Sequence, residues 1–205
     1  HSIDYEHSKK YLSLKIKDNK NSAVFLDQIL FNHPDYKIIK GFDSPVSKKY
    51  FQELKNFFIF VKDACNYDIS IALHPRCDLE TQNFYKNFFN LNCYKNRTCE
   101  LVANSTLVIT HPASTSISFP IIFKKPMIFI TTNELEKHYY KYVTYRMTTN
   151  SINQPFINIS NQKNFLKNLN DIEIDFNGYS KYFENFIKNK HSINKGIWDV
   201  FVEKV

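Results

Sequence analysis

The sequence predicts an α/β fold, a Rossmann-like parallel sheet with helices on both faces. Segments 23–27, 68–73, 106–110 and 126–131 are short and predominantly apolar, which is typical of strands buried on both faces. The last two belong to a strand–turn–helix–strand unit whose helix spans 114–123. Short apolar strands joined in this way favour a parallel sheet covered by helices.

Proline and helical spacing set the bounds of the first elements. The strand at 68–73 ends at His74-Pro75-Arg76, because Pro75 cannot continue a central strand ladder. A helix is predicted over 47–64, where apolar residues recur at helical spacing. These residues are Tyr50, Phe51, Leu54, Phe57, Phe58 and Val61.

Three segments are distinguished along the chain. Residues 1–20 are polar and lysine-rich, and they predict an N-terminal arm or linker. Residues 21–190 are predicted to form the Rossmann-like domain, and residues 191–205 a C-terminal amphipathic helix. The remaining predicted elements are helices at 80–89, 99–103 (capped by Thr98), 133–146, 162–169 and 179–188, and short strands at 92–94, 156–159 and 172–174.

The composition is that of a folded chain and excludes several classes of protein. Hydrophobic residues make up 43% of the 205 residues, and no apolar run approaches the ~20 residues of a membrane-spanning helix. The first residues lack the apolar stretch of a signal peptide, and the four cysteines lack zinc-ligand spacing, so we expect reduced thiols in a cytoplasmic protein. The net charge of +7 comes from scattered lysines, which suits an anionic small molecule or an acidic membrane surface as well as nucleic acid.

The strongest functional signal is a row of hydroxyl residues, Ser114, Thr115 and Ser116, where a buried strand gives way to a helix. The first amides of a helix point outward without internal acceptors, and with the helix dipole they favour phosphate. Only three glycines occur, which excludes a glycine-rich phosphate cradle. The alternative interpretation is that Ser114 is an ordinary helix N-cap.

His74 and Arg76 follow another strand and form the second signal. In open parallel sheets, ligands bind beyond the carboxyl ends of the strands. A histidine there can contact phosphate or protonate a leaving group, and an arginine can grip phosphate with two parallel bonds. The alternative is a loop histidine satisfied by backbone, with Arg76 in solvent.

Two carboxylates complete the candidate site. Glu100 can accept bonds from ribose hydroxyls, or it is a solvated helix residue. Asp27 ends the first strand, where it either faces the acceptor side as a catalytic group or caps the next turn. His33 and His111 each precede a proline and are interpreted as loop-shaping residues, and no metal-binding cluster is predicted.

Four short segments occur in a distinctive order. They are Phe25-Leu26-Asp27-Gln28 with His33-Pro34-Asp35, Ala72-Leu73-His74-Pro75-Arg76, Thr98-Cys99-Glu100-Leu101-Val102, and Ser114-Thr115-Ser116-Ile117-Ser118-Phe119. In this order they resemble bacterial surface-carbohydrate (capsule or lipopolysaccharide) biosynthesis glycosyltransferases of the GT-B fold. The His-Pro and Ser/Thr pairs are similar to the motifs of sialyltransferases and polysialyltransferases of that fold, and the resemblance covers roughly residues 22–132.

The resemblance implies the donor-binding half of a metal-independent, inverting glycosyltransferase without a cofactor. His74 would contact the phosphate of a CMP-activated sugar, such as sialic acid or a related keto-sugar acid, and Ser114, Thr115 and Ser116 would bind it from the helix start. The implied partners are the nucleotide sugar, a glycan or lipid-linked acceptor and the cytoplasmic face of the inner membrane, with no nucleic acid.

Two departures from the family pattern qualify this prediction. The stretch Ser118-Phe119-Pro120 lacks the acid of UDP-sugar enzymes, and the acidic motif that supplies the catalytic base is not found, so a second domain is expected to complete the enzyme. A UDP-sugar glycosyltransferase, a nucleotide-sugar epimerase and a non-catalytic module of a polysaccharide assembly complex remain as alternatives.

Overall fold

A computed structural model describes residues 1–14, 21–31, 44–112, 114–161, 163, 165, 172–193 and 195–203. The His33-Pro34-Asp35 segment, Ala113 and most of the helix predicted at 162–169 lie outside these residues.

The fold is built on a six-stranded parallel sheet, which confirms the predicted α/β Rossmann-like class. Its strands are β1 (Ser22–Leu26), β2 (Asp68–Leu73), β3 (Asn92–Lys95), β4 (Leu107–Thr110), β5 (Met127–Thr131) and β6 (Phe156–Asn158). The strand order is β3-β2-β1-β4-β5-β6, and each pair is parallel. The chain therefore winds outward from β1 in one direction, then crosses back to β4 and winds outward in the other.

Helices lie between these strands, before β1 and after β6. They are α1 (Ile3–Leu12), α2 (Lys48–Ile59), α3 (Leu79–Phe89), α4 (Thr98–Asn104), α5 (Ser118–Ile122), α6 (Asn133–Lys137), α7 (Tyr139–Ile152), α8 (Phe176–Tyr182) and α9 (Ile197–Val202). Single π-helical turns extend α2 to Ala64 and α8 to Ile187, and a 3₁₀ turn, Thr115–Ile117, leads into α5. Among the residues described, no helix is both long and apolar enough to cross a bilayer.

Two local predictions were wrong, and one predicted helix is formed with a break. The helix predicted at 133–146 is divided into α6 and α7 at His138, whose backbone is extended. The strand predicted at 172–174 is not formed. Thr98 does not cap α4, because Arg97 holds the N-cap position and Thr98 is the first helical residue.

Both faces of the sheet are covered, as the apolar strands predict. Phe25 packs with the ring of Phe58 from α2 on one face, at 5.2 Å between centroids. The neighbouring β1 residues Val24 and Leu26 pack on the other face against Val102 of α4 and Phe119 of α5. Successive side chains of a strand point to opposite faces of the sheet. A strand that is buried on both faces therefore has apolar side chains on both.

Helix α1 differs from the arm or linker predicted over residues 1–20. The Ser2 hydroxyl caps it by accepting from the Tyr5 amide, and the helix packs on α4 and α5. Ser8 is fully buried, with its Oγ 3.7 Å from the Cys99 Sγ. The Ser2 amide donates to the Ile187 carbonyl at 2.7 Å, which also ties α1 to the turn after α8.

Candidate functional site

A pocket of about 430 Å³ opens at the carboxyl ends of β1, β2 and β4. It lies where the strand order reverses, between β1 and β4. In open α/β sheets this switch point is the usual place for a ligand, because the loops leaving the two strands diverge there. The volume falls in the range of small-molecule sites.

Five of the sequence-predicted site residues line this pocket together: Asp27, His74, Ser114, Thr115 and Ser116. They come from three loops, which follow β1, β2 and β4. The rest of the described lining consists of Asp4, His7, Leu26, Ala72, Leu73, Pro75, Asn96, Thr98, Cys99 and Phe119. The hydroxyl row and the imidazole therefore share one cavity.

Ser114 caps the helical segment that begins at Thr115. Its Oγ accepts from the Ser116 amide at 3.2 Å and lies 2.6 Å from the Ser116 Oγ. The N-cap interpretation of Ser114 is thus confirmed, and the same side chain also lines the pocket. One of these hydroxyls donates to the other, so the pair presents one hydroxyl proton to a phosphate oxygen at the helix start.

The backbone fixes the imidazole of His74. Its Nδ1 accepts from the Arg76 amide at 3.1 Å, so the neutral ring carries its proton on Nε2. The His74 carbonyl also accepts from the Cys77 amide at 2.9 Å, which closes the turn. A doubly protonated ring would leave the Arg76 amide without this acceptor. The geometry therefore favours His74 as a hydrogen-bond donor through Nε2 over His74 as a group that transfers a proton.

Asp27 lies at the floor of the pocket and is only 7% exposed. Its Oδ1 accepts from the Ile29 amide at 3.0 Å and from the Tyr85 hydroxyl at 3.2 Å, and Oδ2 lies 3.5 Å from the His74 amide. Burial outweighs these hydrogen bonds and raises the pKa of Asp27 from 3.8 to about 6. Asp27 therefore caps the turn after β1 and also presents a titratable group to the pocket.

The raised pKa of Asp27 predicts a pH-dependent stability. The folded chain binds this proton more tightly than the unfolded chain, so the stabilisation is complete below pH 3.8 and is lost as the pH rises through about 6. Between pH 8 and pH 5 the gain from this one group is about 1.4 kcal/mol. Urea unfolding at pH 5 and pH 8 measures the free energy of unfolding of the wild type and of Asp27→Asn. The wild type should gain this stability between pH 8 and pH 5, and Asp27→Asn should not. Equal pH dependence in the two chains would contradict the prediction.

Arg76 and Glu100 are not among the residues that line the pocket. Arg76 is exposed, and its contribution to the site is the backbone amide that holds the ring of His74. Glu100 accepts two hydrogen bonds from Arg97, at 2.9 Å from Nε and 2.5 Å from Nη2, and these bonds lower the pKa of its carboxyl group. Among the described residues, the carboxylates that line the pocket are instead those of Asp4 and Asp27.

His111 is a buried residue of the core as well as the start of a loop. It is fully buried, and its Nδ1 lies 2.8 Å from the Ile130 carbonyl, which can only accept. Nδ1 therefore carries the proton, and Nε2 accepts from the Tyr50 hydroxyl at 2.9 Å. These bonds join β4 to β5 and α2 directly before the hydroxyl row.

Sequence reasoning missed the wall of the pocket formed by α1, which supplies Asp4 and His7. A signal for this helix was present: Ser2 is an N-cap residue, two acids occupy the first turn and two lysines the last. Asn96 was also missed; it follows β3 with a positive φ of 61°, in the left-handed region that asparagine tolerates.

The chain was compared with known proteins at three levels. No family model, no curated protein and no solved structure matches it. In the described part of the chain, no three His, Cys, Asp or Glu side chains come together as a metal site.

Proposed function

We propose that this chain binds the nucleotide sugar donor of a glycosyltransferase, with a CMP-activated sugar as its ligand. The observation that carries the proposal is the shared pocket of Ser114, Thr115, Ser116 and His74 at the strand-order switch point. These groups follow separate strands, and each is of a type that binds phosphate.

Ser114 and Ser116 share a hydrogen bond, and the hydroxyl that accepts in it can donate to the phosphate at the start of a helical segment. His74 adds a donor from Nε2 while the Arg76 amide occupies Nδ1. In an inverting transfer, an acceptor hydroxyl attacks the anomeric carbon as the bond from that carbon to the phosphate oxygen breaks. The phosphate then gains charge, and fixed donors aimed at it lower the barrier.

Asp27 is the candidate base for this reaction. Its pKa of about 6 lets it take the proton of the acceptor hydroxyl near neutral pH, and the Tyr85 hydroxyl holds the carboxylate in place. We propose that the acceptor is a glycan or a lipid-linked glycan, and that a second domain completes its site.

The lining of the pocket bears on the choice between a monophosphate donor and a diphosphate donor. The described lining includes the carboxylates of Asp4 and Asp27 but neither Lys nor Arg. Diphosphates are generally bound with Mg²⁺ or with basic side chains that offset the second charge. The described lining therefore lacks the groups that hold a pyrophosphate, which favours a CMP-sugar, and the carboxylate of a keto-sugar acid would have to point away from Asp4 and Asp27.

Calorimetric titration with CMP, UDP and GDP tests the proposal. We expect CMP to bind most tightly, and Ser116→Ala to weaken CMP binding by about tenfold, the usual effect of losing one hydrogen bond to a charged group. Ser13→Ala removes an exposed serine hydroxyl outside the pocket and should leave the affinity unchanged.

The other outcomes distinguish the alternatives. Preferential binding of UDP would favour a UDP-sugar enzyme, either a glycosyltransferase or an epimerase. Failure of all three nucleotides to bind would count against nucleotide recognition and favour a non-catalytic module.

A further inference from the structure

A second cavity, of about 410 Å³, is lined by residues of α2, of α3 and of the segment after β1. Its volume falls in the range of small-molecule sites. The described lining of this cavity shares no residue with the pocket at the switch point, so the two cavities are separate. Its described wall is largely aromatic, and the rings are those of Phe31, Phe51, Phe84, Tyr85 and Phe88.

Three rings of this aromatic cavity stand at steep angles to each other. The ring of Phe51 meets those of Phe31 and Phe84 at 69° and 85°, with centroids 5.4 Å and 5.1 Å apart. Phe51 is buried, whereas Phe31 and Phe84 are 48% and 42% exposed, so a ligand can reach them from solvent. Rings at such angles present their faces in different directions, as the rings of an aromatic cage for a cation do.

The same aromatic wall already holds one cation. The Lys55 ammonium group lies 4.8 Å from the centroid of the Phe88 ring, which is within the range of a cation–π interaction. Phe88 in turn stacks on Phe84 at an angle of 23°, with the centroids 5.3 Å apart. The wall that faces the cavity is therefore continuous with a ring that attracts a positive charge.

The charged side chains of the aromatic cavity also favour a cation. Asp78 and Glu80 supply two carboxylates to the described lining, and Lys48 supplies one ammonium group. Asp78 caps α3 by accepting from the Thr81 amide at 2.7 Å, and this bond lowers the pKa of its carboxyl group, which is therefore ionised at neutral pH. Glu80 lies one turn before Phe84 on α3, so its carboxylate is beside the aromatic wall.

The rings and the carboxylates together select the chemistry of the ligand. An inorganic cation lacks the apolar surface that packs against aromatic rings, and a neutral apolar molecule gains nothing from two carboxylates. An alkylated ammonium group has both a positive charge and an apolar surface, and aromatic cages bind such groups.

We propose that the aromatic cavity binds an organic cation through an alkylated ammonium group placed against Phe31, Phe51 and Phe84. The proposal goes beyond the nucleotide-binding function and does not depend on it, because the two cavities share no described residue.

Choline and dimethylbutanol, in which carbon replaces the quaternary nitrogen of choline, separate charge from shape. Calorimetric titration of the whole chain should show that choline binds about tenfold more tightly, because only choline gains from the rings and the carboxylates as a cation. Equal affinities for the two ligands would overturn the proposal, since they would identify a merely apolar cavity. Absence of binding at millimolar choline would overturn it as well.

Three variants test the groups of the cavity one at a time. Phe84→Leu keeps an apolar side chain without the ring, so it should weaken choline binding about fivefold and leave dimethylbutanol binding nearly unchanged. Glu80→Gln, at an exposed position, should also weaken only choline binding. Lys48→Gln removes the opposing charge and should strengthen choline binding.

Phe176→Leu is the matched control, because Phe176 is 59% exposed on α8, outside the aromatic cavity. It should bind choline like the wild type. If Phe84→Leu weakened both ligands equally, or if Glu80→Gln and Lys48→Gln both left choline binding unchanged, the cavity would not be a cation site.

Discussion

Replacing His111 with alanine is expected to destabilise the fold by about 2–4 kcal/mol. The substitution empties a fully buried site between β4, β5 and α2. It also removes the hydrogen-bond partner of the Ile130 carbonyl and of the Tyr50 hydroxyl. A cavity and buried polar groups that lose a partner each contribute to that loss.

Urea unfolding of His111→Ala and of Tyr50→Phe separates these contributions. Tyr50→Phe keeps the ring and removes only the hydroxyl, so it should cost about 1 kcal/mol. Equal, small losses in both variants would mean that the imidazole is dispensable and that its two hydrogen bonds do not stabilise the junction.

The centre of the sheet was predictable because strands β1, β4 and β5 are apolar without alternation. Residues 107–110 and 127–131 are fully buried along their whole length, and the sequence pattern that predicted them is the direct consequence of cover on both faces. The strand order was not predictable from the pattern, because it depends on which connections cross the sheet. Strands β2 and β4 are both short and largely buried, yet they lie on opposite sides of β1.

Helix α1 shows why local pattern was insufficient at the N-terminus. The helix buries little apolar surface, and its fully buried residue is the polar Ser8. Its position depends on specific contacts, such as Ser8 with Cys99 and the Ser2 amide with the Ile187 carbonyl, which join segments far apart in sequence. Such contacts leave no periodic signal.

The sequence predicted where the candidate site lies better than it predicted which residues line it. The carboxyl ends of parallel strands meet at one edge of the sheet, so Asp27, His74 and the hydroxyl row could be expected to converge. Whether a helix residue turns toward that edge depends on its neighbours. Glu100 lies three residues after Arg97 and pairs with it, while Cys99 beside it lines the pocket.

The largest functional effect is expected for His74→Ala. The ring is oriented by the Arg76 amide and lines the pocket together with the hydroxyl row. Loss of one fixed donor to a phosphate that gains charge in the transition state slows transfer by about 100- to 1000-fold. Ground-state CMP binding should weaken less, because in the proposed complex the phosphate is already charged and also contacts the hydroxyls of Ser114 and Ser116.

His74→Gln is the matched variant, because its amide places an N–H near the position of Nε2. If His74 acts as a hydrogen-bond donor, glutamine should restore part of the CMP affinity measured by calorimetry and part of the donor cleavage measured with a CMP-sugar. If it acts as a proton source, glutamine should be as defective as alanine in donor cleavage. If His74→Ala binds CMP as tightly as the wild type, the imidazole does not bind the phosphate. A hydrogen-bond donor to the phosphate cannot be lost without weakening binding.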